Sequence, residues 1–168
     1  MITDLPKILF DGAILSLVAT AFLITTLRIN PRLWLQDYPQ DIQDQVPPKT
    51  EEELRLSLIL GIPFLLLLFG APLISTLGLK RQYAGDVSFL ALTIHAFGVA
   101  FIVNVVDWLL IDWLLFCVIT PAFLVIPGTE GAEGYTTKNY GHHVRGFVIG
   151  TGASLAGGLV IAAIVSLL

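Results

Sequence analysis

The run from Val87 to Pro127 constrains everything else in the chain. It is almost wholly apolar, and its only formal charges are Asp107, at its arithmetic centre, and Asp112. Water cannot host such a segment, and a soluble core of this size cannot bury it whole. A bilayer can, because ~20 apolar residues make one helical crossing. As one straight helix the run would be roughly 60 Å long, about twice the ~30 Å hydrocarbon layer, an excess that tilt does not absorb. Two paths remain. In the preferred one, residues 87–106 and 108–127 form a helical hairpin. It turns at the membrane surface around Asn104, Asp107 and Asp112, with Trp108 and Trp113 at the headgroup level that Trp favours. In the other, a long helix ends in a re-entrant tail lined by protein. Val103–Trp113 holds no Gly or Pro, which opposes a tight turn.

Three further apolar runs, residues 8–27, 56–79 and 146–168, complete the pattern. Together they predict an all-α, polytopic membrane bundle of four or five transmembrane segments. The chain reads as one membrane domain, residues 1–168, with polar loops over 28–55 and 128–145. A mean hydropathy of +0.83 and a charged content of 13% lie well outside globular averages. A net charge of −4 offers no basic surface to nucleic acid. The lone cysteine, Cys117, sits in an apolar run and reads as a small buried hydrophobe. Residues 8–27 resemble a signal peptide around Ala19–Ala21. Yet Asp11 interrupts them and apolar sequence continues beyond, so a retained crossing is expected.

Local signals punctuate the loops. Asn30-Pro31 reads as a helix cap with proline at the first helical position, opening a short helix whose Leu33, Trp34 and Leu35 would rest at the interface. Thr50 and Glu53 read as a capping box, and Glu51, Glu52 and Glu53 suit the positive end of a helix dipole. That helix is expected to kink at Gly61-Ile62-Pro63 and Gly70-Ala71-Pro72, and to end at Gly78, with Lys80-Arg81 at the water boundary. Gly128–Arg145, with four glycines, reads as a mobile loop.

The clearest motif is a small-residue ridge in the last helix: Gly146, Gly150, Ser154, Gly158, Ala162 and Ser166, every four residues. Such ridges let membrane helices pack backbone to backbone, either inside the bundle or in an oligomer. The most site-like cluster is His142-His143-Val144-Arg145. Adjacent histidines point about 100° apart on a helix, so both cannot bind one metal from regular helix. From a loop they could, with Glu130 and Glu133 as further ligands. Lys138 and Arg145 beside them suggest a positive patch for an anionic headgroup. On an α-helix Asp107 and Asp112 are about 140° apart.

Basic residues bear on orientation. With four crossings, Arg28, Arg32, Lys49, Arg55, Lys138 and Arg145 share a side against Lys7, Lys80 and Arg81, which places both termini outside. With five, the count barely decides and favours a cytoplasmic amino terminus. Only four crossings let Asp37, Tyr38 and Asp41 meet His142 and His143.

Three functional readings follow. The first is a small, non-catalytic membrane protein that acts through helix packing or partner contact. The second is a membrane-embedded enzyme with an interfacial site. In it His142 or His143 is base or metal ligand, Asp107 or Asp112 the acidic partner, and Arg145 the anion-holding group. The third, an ion or proton conductor through Asp11, His95 and Asp107, lacks a continuous polar stripe. No cofactor is expected. The expected partners are the lipid bilayer and a second copy or another membrane protein against the last helix. The expected location is a bacterial cell membrane.

Overall fold

A computed structural model describes residues 4–168, apart from the side chain of Asn139. Helix α1 spans Leu5–Ile29 and opens on Asp4, whose side chain accepts the Lys7 amide at 3.0 Å. At its end Asn30 is extended, and its side chain accepts the Arg32 amide at 2.9 Å. The Asn-Pro cap therefore forms, and opens a 3₁₀ turn, Pro31–Asp37. That turn packs its apolar side chains against the protein. Leu33 and Leu35 are buried, and the Trp34 indole donates to Thr26 Oγ1 at 2.9 Å.

After the single turn α2, Gln40–Gln43, helix α3 runs from Glu51 to Gln82. Its capping box is complete: Thr50 Oγ1 accepts the Glu53 amide at 3.2 Å, and Glu53 accepts the Thr50 amide at 2.8 Å. Glu53 also takes Arg32 Nε at 2.7 Å, so one carboxylate ties the start of α3 to the 3₁₀ turn. The helix is continuous through Pro63 and Pro72, and Gly78 does not end it. The chain breaks where the backbone turns left-handed, at Ala84 (φ 50°) and Gly85 (φ 86°), with the Gly85 amide on the Lys80 carbonyl at 2.9 Å. Gly85 adopts that conformation without the Cβ clash that Ala84 bears.

Helix α4, Phe89–Val106, is capped by Ser88 and does not turn back at Asn104–Asp112. It continues as a π-helix, Asp107–Ile119, and stops at Thr120 (φ 44°). The hairpin is thus corrected to one continuous helix, and residues 108–127 make no fifth crossing. The physical reason is local. With no Gly or Pro to interrupt it, every amide still needs a partner, and winding on supplies one. The excess length is taken up past Ile119, where the chain leaves the helix.

Helix α5, Tyr140–Leu167, starts six residues earlier than the apolar run, so His142, His143 and Arg145 are helical. Four helices are long and apolar enough to cross a membrane: Leu5–Ile29, Glu51–Gln82, Phe89–Ile119 and Tyr140–Leu167. The fold is an all-α bundle with no strand among the described residues. Its near face carries the start of α1, the end of α3, the start of α4 and the end of α5. Its far face carries residues 30–50 and 120–139.

The far-face segments are not mobile loops. They fold on each other as a cap in which Tyr38, Leu124 and Ile126 are almost fully buried. The Tyr38 hydroxyl donates to the Leu124 carbonyl at 2.9 Å, and the Ile126 amide donates to the Tyr135 hydroxyl at 3.0 Å. The Gly134 amide donates to Asp41 Oδ2 at 2.7 Å. A Cβ at Gly134 would fall 2.7 Å from Asp41 and Ile42, so only glycine lets α2 sit this close. Arg28 lies 5.0 Å over the Phe123 ring and ties the cap to α1.

Part of the small-residue ridge packs against α4 within the chain. A Cβ at Gly150 would strike the Asn104 amide, and one at Gly158 would lie 3.0 Å from the Phe97 backbone nitrogen. Both positions therefore lie under α4, and Ala162 is fully buried. Asn104 adds a polar clamp, donating to the Phe147 carbonyl and to Thr151 Oγ1, each at 3.1 Å. Gly146, Gly152 and Gly157 face open space.

Candidate functional site

The far end of α5 sets the geometry of the site. On a regular helix adjacent side chains diverge by about 100°, and the two histidines do meet different partners. His142 Nε2 lies 3.1 Å from the carbonyl oxygen of Asp37, in the cap. His143 Nδ1 lies 3.1 Å from Asp112 Oδ1, on the π-helix. A carboxylate oxygen accepts, so the facing Nδ1–H donates to it, and Nε2 is the ring nitrogen left facing away. His143 is 3% exposed, and its Nε2 has no hydrogen-bond partner among the described residues. Phe116 packs 5.4 Å from the imidazole and Tyr140 6.5 Å. A buried ring nitrogen with no hydrogen-bond partner is costly and uncommon.

The π-helix places the acids. Its hydrogen bonds run between residues five apart, as from the Thr120 amide to the Leu115 carbonyl at 2.8 Å. Residues five apart therefore stack. Asp107, Asp112 and Cys117 fall on one stripe, where α-geometry would have separated the two acids by about 140°. Π-windings are rare and are frequent at functional sites. Cys117 is buried and free.

The cap adds a third carboxylate. Asp37 has its pKa raised above the ordinary carboxylate range, chiefly by the protein mass around it and further by the charge of Asp112; Lys49 and Gln36 oppose the shift. Lys49 is lowered by burial, against the pull of Asp37 and Glu53. Its ammonium is held by the Leu33 carbonyl, Gln36 Oε1 and Ser57 Oγ. Beside it a groove of about 270 Å³ runs between the 3₁₀ turn and α3, with Leu60, Phe64 and Leu65 along its apolar wall and Gln36, Asp37 and Ser57 along its polar one. Leu65 is 65% exposed, so the groove opens where a helix faces lipid.

Several sequence expectations are rearranged here. Asp112 meets a histidine, as the interfacial-enzyme reading requires, and Asp107 stacks one π-turn away. Arg145 does not join them: it is exposed, about 200° round α5 from His143. Lys138 pairs with Glu133 at 3.0 Å, both 73% exposed, so the basic patch for an anionic headgroup is not assembled. Glu130 accepts the Gly128 amide at 3.0 Å. With Glu133 it lines an open depression on the outside of the cap. Among the described residues no three His, Cys, Asp or Glu side chains converge to hold a metal. The quartet His142, His143, Glu130 and Glu133 is split between two sites. Trp108 packs inside the bundle. It stacks on Phe147 at 4.6 Å, with its indole N–H buried and unpartnered among the described residues.

The four-crossing reading allowed Asp37 to meet the histidines, and its carbonyl does reach His142. The available signal was the Tyr38-Pro39 break, which forces the chain to extend there and delivers the Asp37 carbonyl to His142. No family description matches the chain, and no curated protein or solved structure is similar to it.

Proposed function

We propose that this membrane protein works through the acid-lined histidine site on its far face, and that it takes from the bilayer an amphiphile with a cationic or proton-donating head. The observation that carries the reading is His143, buried and oriented by Asp112, with Nε2 bare. A carboxylate-oriented imidazole with a free nitrogen is the arrangement of a general base and of a strong acceptor. The sign of the surroundings selects the head group. Asp37, Asp107 and Asp112 gather here, while the nearby cations are already bonded, Lys49 to Leu33, Gln36 and Ser57 and Arg32 to Glu53. The groove beside Asp37 gives the apolar tail a way in from lipid. The alternative, action through packing alone along the α5 ridge, is weakened because Gly150 and Gly158 are already covered by α4.

The test is a binding titration in lipid nanodiscs with dodecylamine and, as its charge-reversed counterpart, dodecanoate. The amine should bind saturably and perturb the His143 ring nitrogens. Asp112→Asn and His143→Gln should each weaken it about tenfold, the scale of one charge-assisted hydrogen bond. Tighter binding of dodecanoate, or equal binding by the variants, contradicts the reading.

A further inference from the structure

A second polar cluster lies near the opposite face, inside the helix packing. His95 on α4 is fully buried. Its Nε2 lies 2.8 Å from Ser75 Oγ on α3, and Ser75 Oγ donates to Asp11 Oδ2 on α1 at 2.5 Å. Lys7 Nζ, one turn earlier on α1, donates to the same oxygen at 2.7 Å. Lys7 and Asp11 keep about a quarter of their side-chain surface, at 25% and 23%, whereas His95 keeps none. The hydrogen directions follow from the groups. Ser75 has one proton, and gives it to Asp11. His95 must therefore donate from Nε2, and its Nδ1 is left unpartnered among the described residues.

The inner end is also closed toward the far face. Ile8, Leu15 and Val99 form a buried apolar layer beside the chain, with Ile102 and Val103 packed on it. A Cβ at Gly12 would fall 2.6 Å from Ile102, and one at Gly98 would fall 2.8 Å from Ile8. α1 and α4 thus touch where a continuing polar path would have to run. The charged groups about His95 all come from α1: Asp4, Lys7 and Asp11. Helix α3 offers Ser75 there, with Lys80 more than a turn beyond. α5 has no charged side chain after Arg145.

We infer that Lys7, Asp11, Ser75 and His95 form a one-sided proton wire, which loads His95 inside the bilayer from the near face only. Uptake begins with His95 neutral and protonated on Nδ1. A proton from water binds Asp11 Oδ2. The Asp11 O–H then breaks toward Ser75 Oγ, leaving its electron pair on the carboxylate. The former Ser75 proton passes to Nε2, whose lone pair forms the new N–H bond. The products are imidazolium and carboxylate, with Ser75 restored, donating to Asp11 and accepting from Nε2. Those are the hydrogen-bond directions of the structure. Lys7 keeps Asp11 ionised between loads and positions its oxygen.

The test is the ¹⁵N spectrum of histidine-labelled protein in sealed, oriented proteoliposomes, with the His95 signal assigned from its loss in His95→Gln. Lowering pH on the near face should convert His95 to the doubly protonated form. The same change on the far face should leave it neutral. Ser75→Ala and Asp11→Asn should each slow the conversion at least tenfold, and Ser75→Thr, which keeps a hydroxyl, should restore it. Conversion driven equally from both faces overturns the inference, and so does conversion at the wild-type rate in Ser75→Ala. Should Ser75→Ala fail to fold, the face dependence of the wild-type protein and the rate in Asp11→Asn still decide.

Discussion

His142 and His143 are sequence neighbours with unlike fates, and helix phase alone separates them. His142 reaches a cap carbonyl, and His143 turns inward to Asp112. The adjacency was visible in the sequence; that the two lie on helix, where they cannot share one metal, was not, since a loop was the expectation. The identity of the carboxylate was not, because it depends on the winding of another helix. Asp37 gives a pH-dependent prediction. Its folded-state pKa is raised, so the folded state holds a proton that the unfolded chain has released. Its contribution is favourable below the ordinary carboxylate range and is lost as pH rises through the raised value. Asp37→Asn should therefore raise the melting temperature at pH 7, and the gain should vanish near pH 3. A melting curve that falls at pH 7 would refute this. Tyr38→Phe deletes the bond to the Leu124 carbonyl and should cost about 1 kcal/mol of stability, since that acceptor stays buried. Denaturant melts of the two proteins measure it.

Among the elements, the start of α3 was legible and its end was not. Thr50 and Glu53 signal their box within four residues, and the structure builds it. Thr50→Ala should cost ~1 kcal/mol, seen as faster amide exchange at Glu52 and Glu53. Unchanged exchange would count against it. The end of α3 was misplaced because a glycine inside an apolar helix carries no conformational signal; what decides is the left-handed turn at Ala84-Gly85. The π-helix left no trace in apolar periodicity, since Trp108–Ile119 is apolar nearly all round. That single change of winding brought Asp107 and Asp112 to one stripe. On the α5 ridge, Gly150 and Gly158 lie against α4, while Gly146 faces open space. Gly158→Leu should destabilise by about 1–3 kcal/mol or more, because the side chain meets the Phe97 backbone. Gly152→Leu, facing open space, should leave melting unchanged. Equal effects at the two positions would contradict internal packing.

For the whole molecule, composition was enough for a helical membrane bundle, and the count of crossings was not. The sequence allowed four or five because residues 108–127 are apolar enough to be immersed either way. The structure resolves this through contacts far apart in sequence. Tyr38 bonds to Leu124, and Asp41 to Gly134, so residues 30–50 and 120–139 are one cap on one face. Every element of the proposed site depends on that. With five crossings Asp37 and His142 would lie on opposite sides of the bilayer, and neither the groove nor the acid cluster would meet the histidines. The most direct measurement is side-specific labelling of single cysteines, Gln40→Cys, Asp86→Cys and Lys138→Cys, each in a Cys117→Ser background, with a membrane-impermeant maleimide on sealed vesicles. All three native side chains are exposed. Positions 40 and 138 should label from the same side and position 86 from the other. Labelling of 40 and 138 from opposite sides would contradict the four-crossing fold, and with it the site.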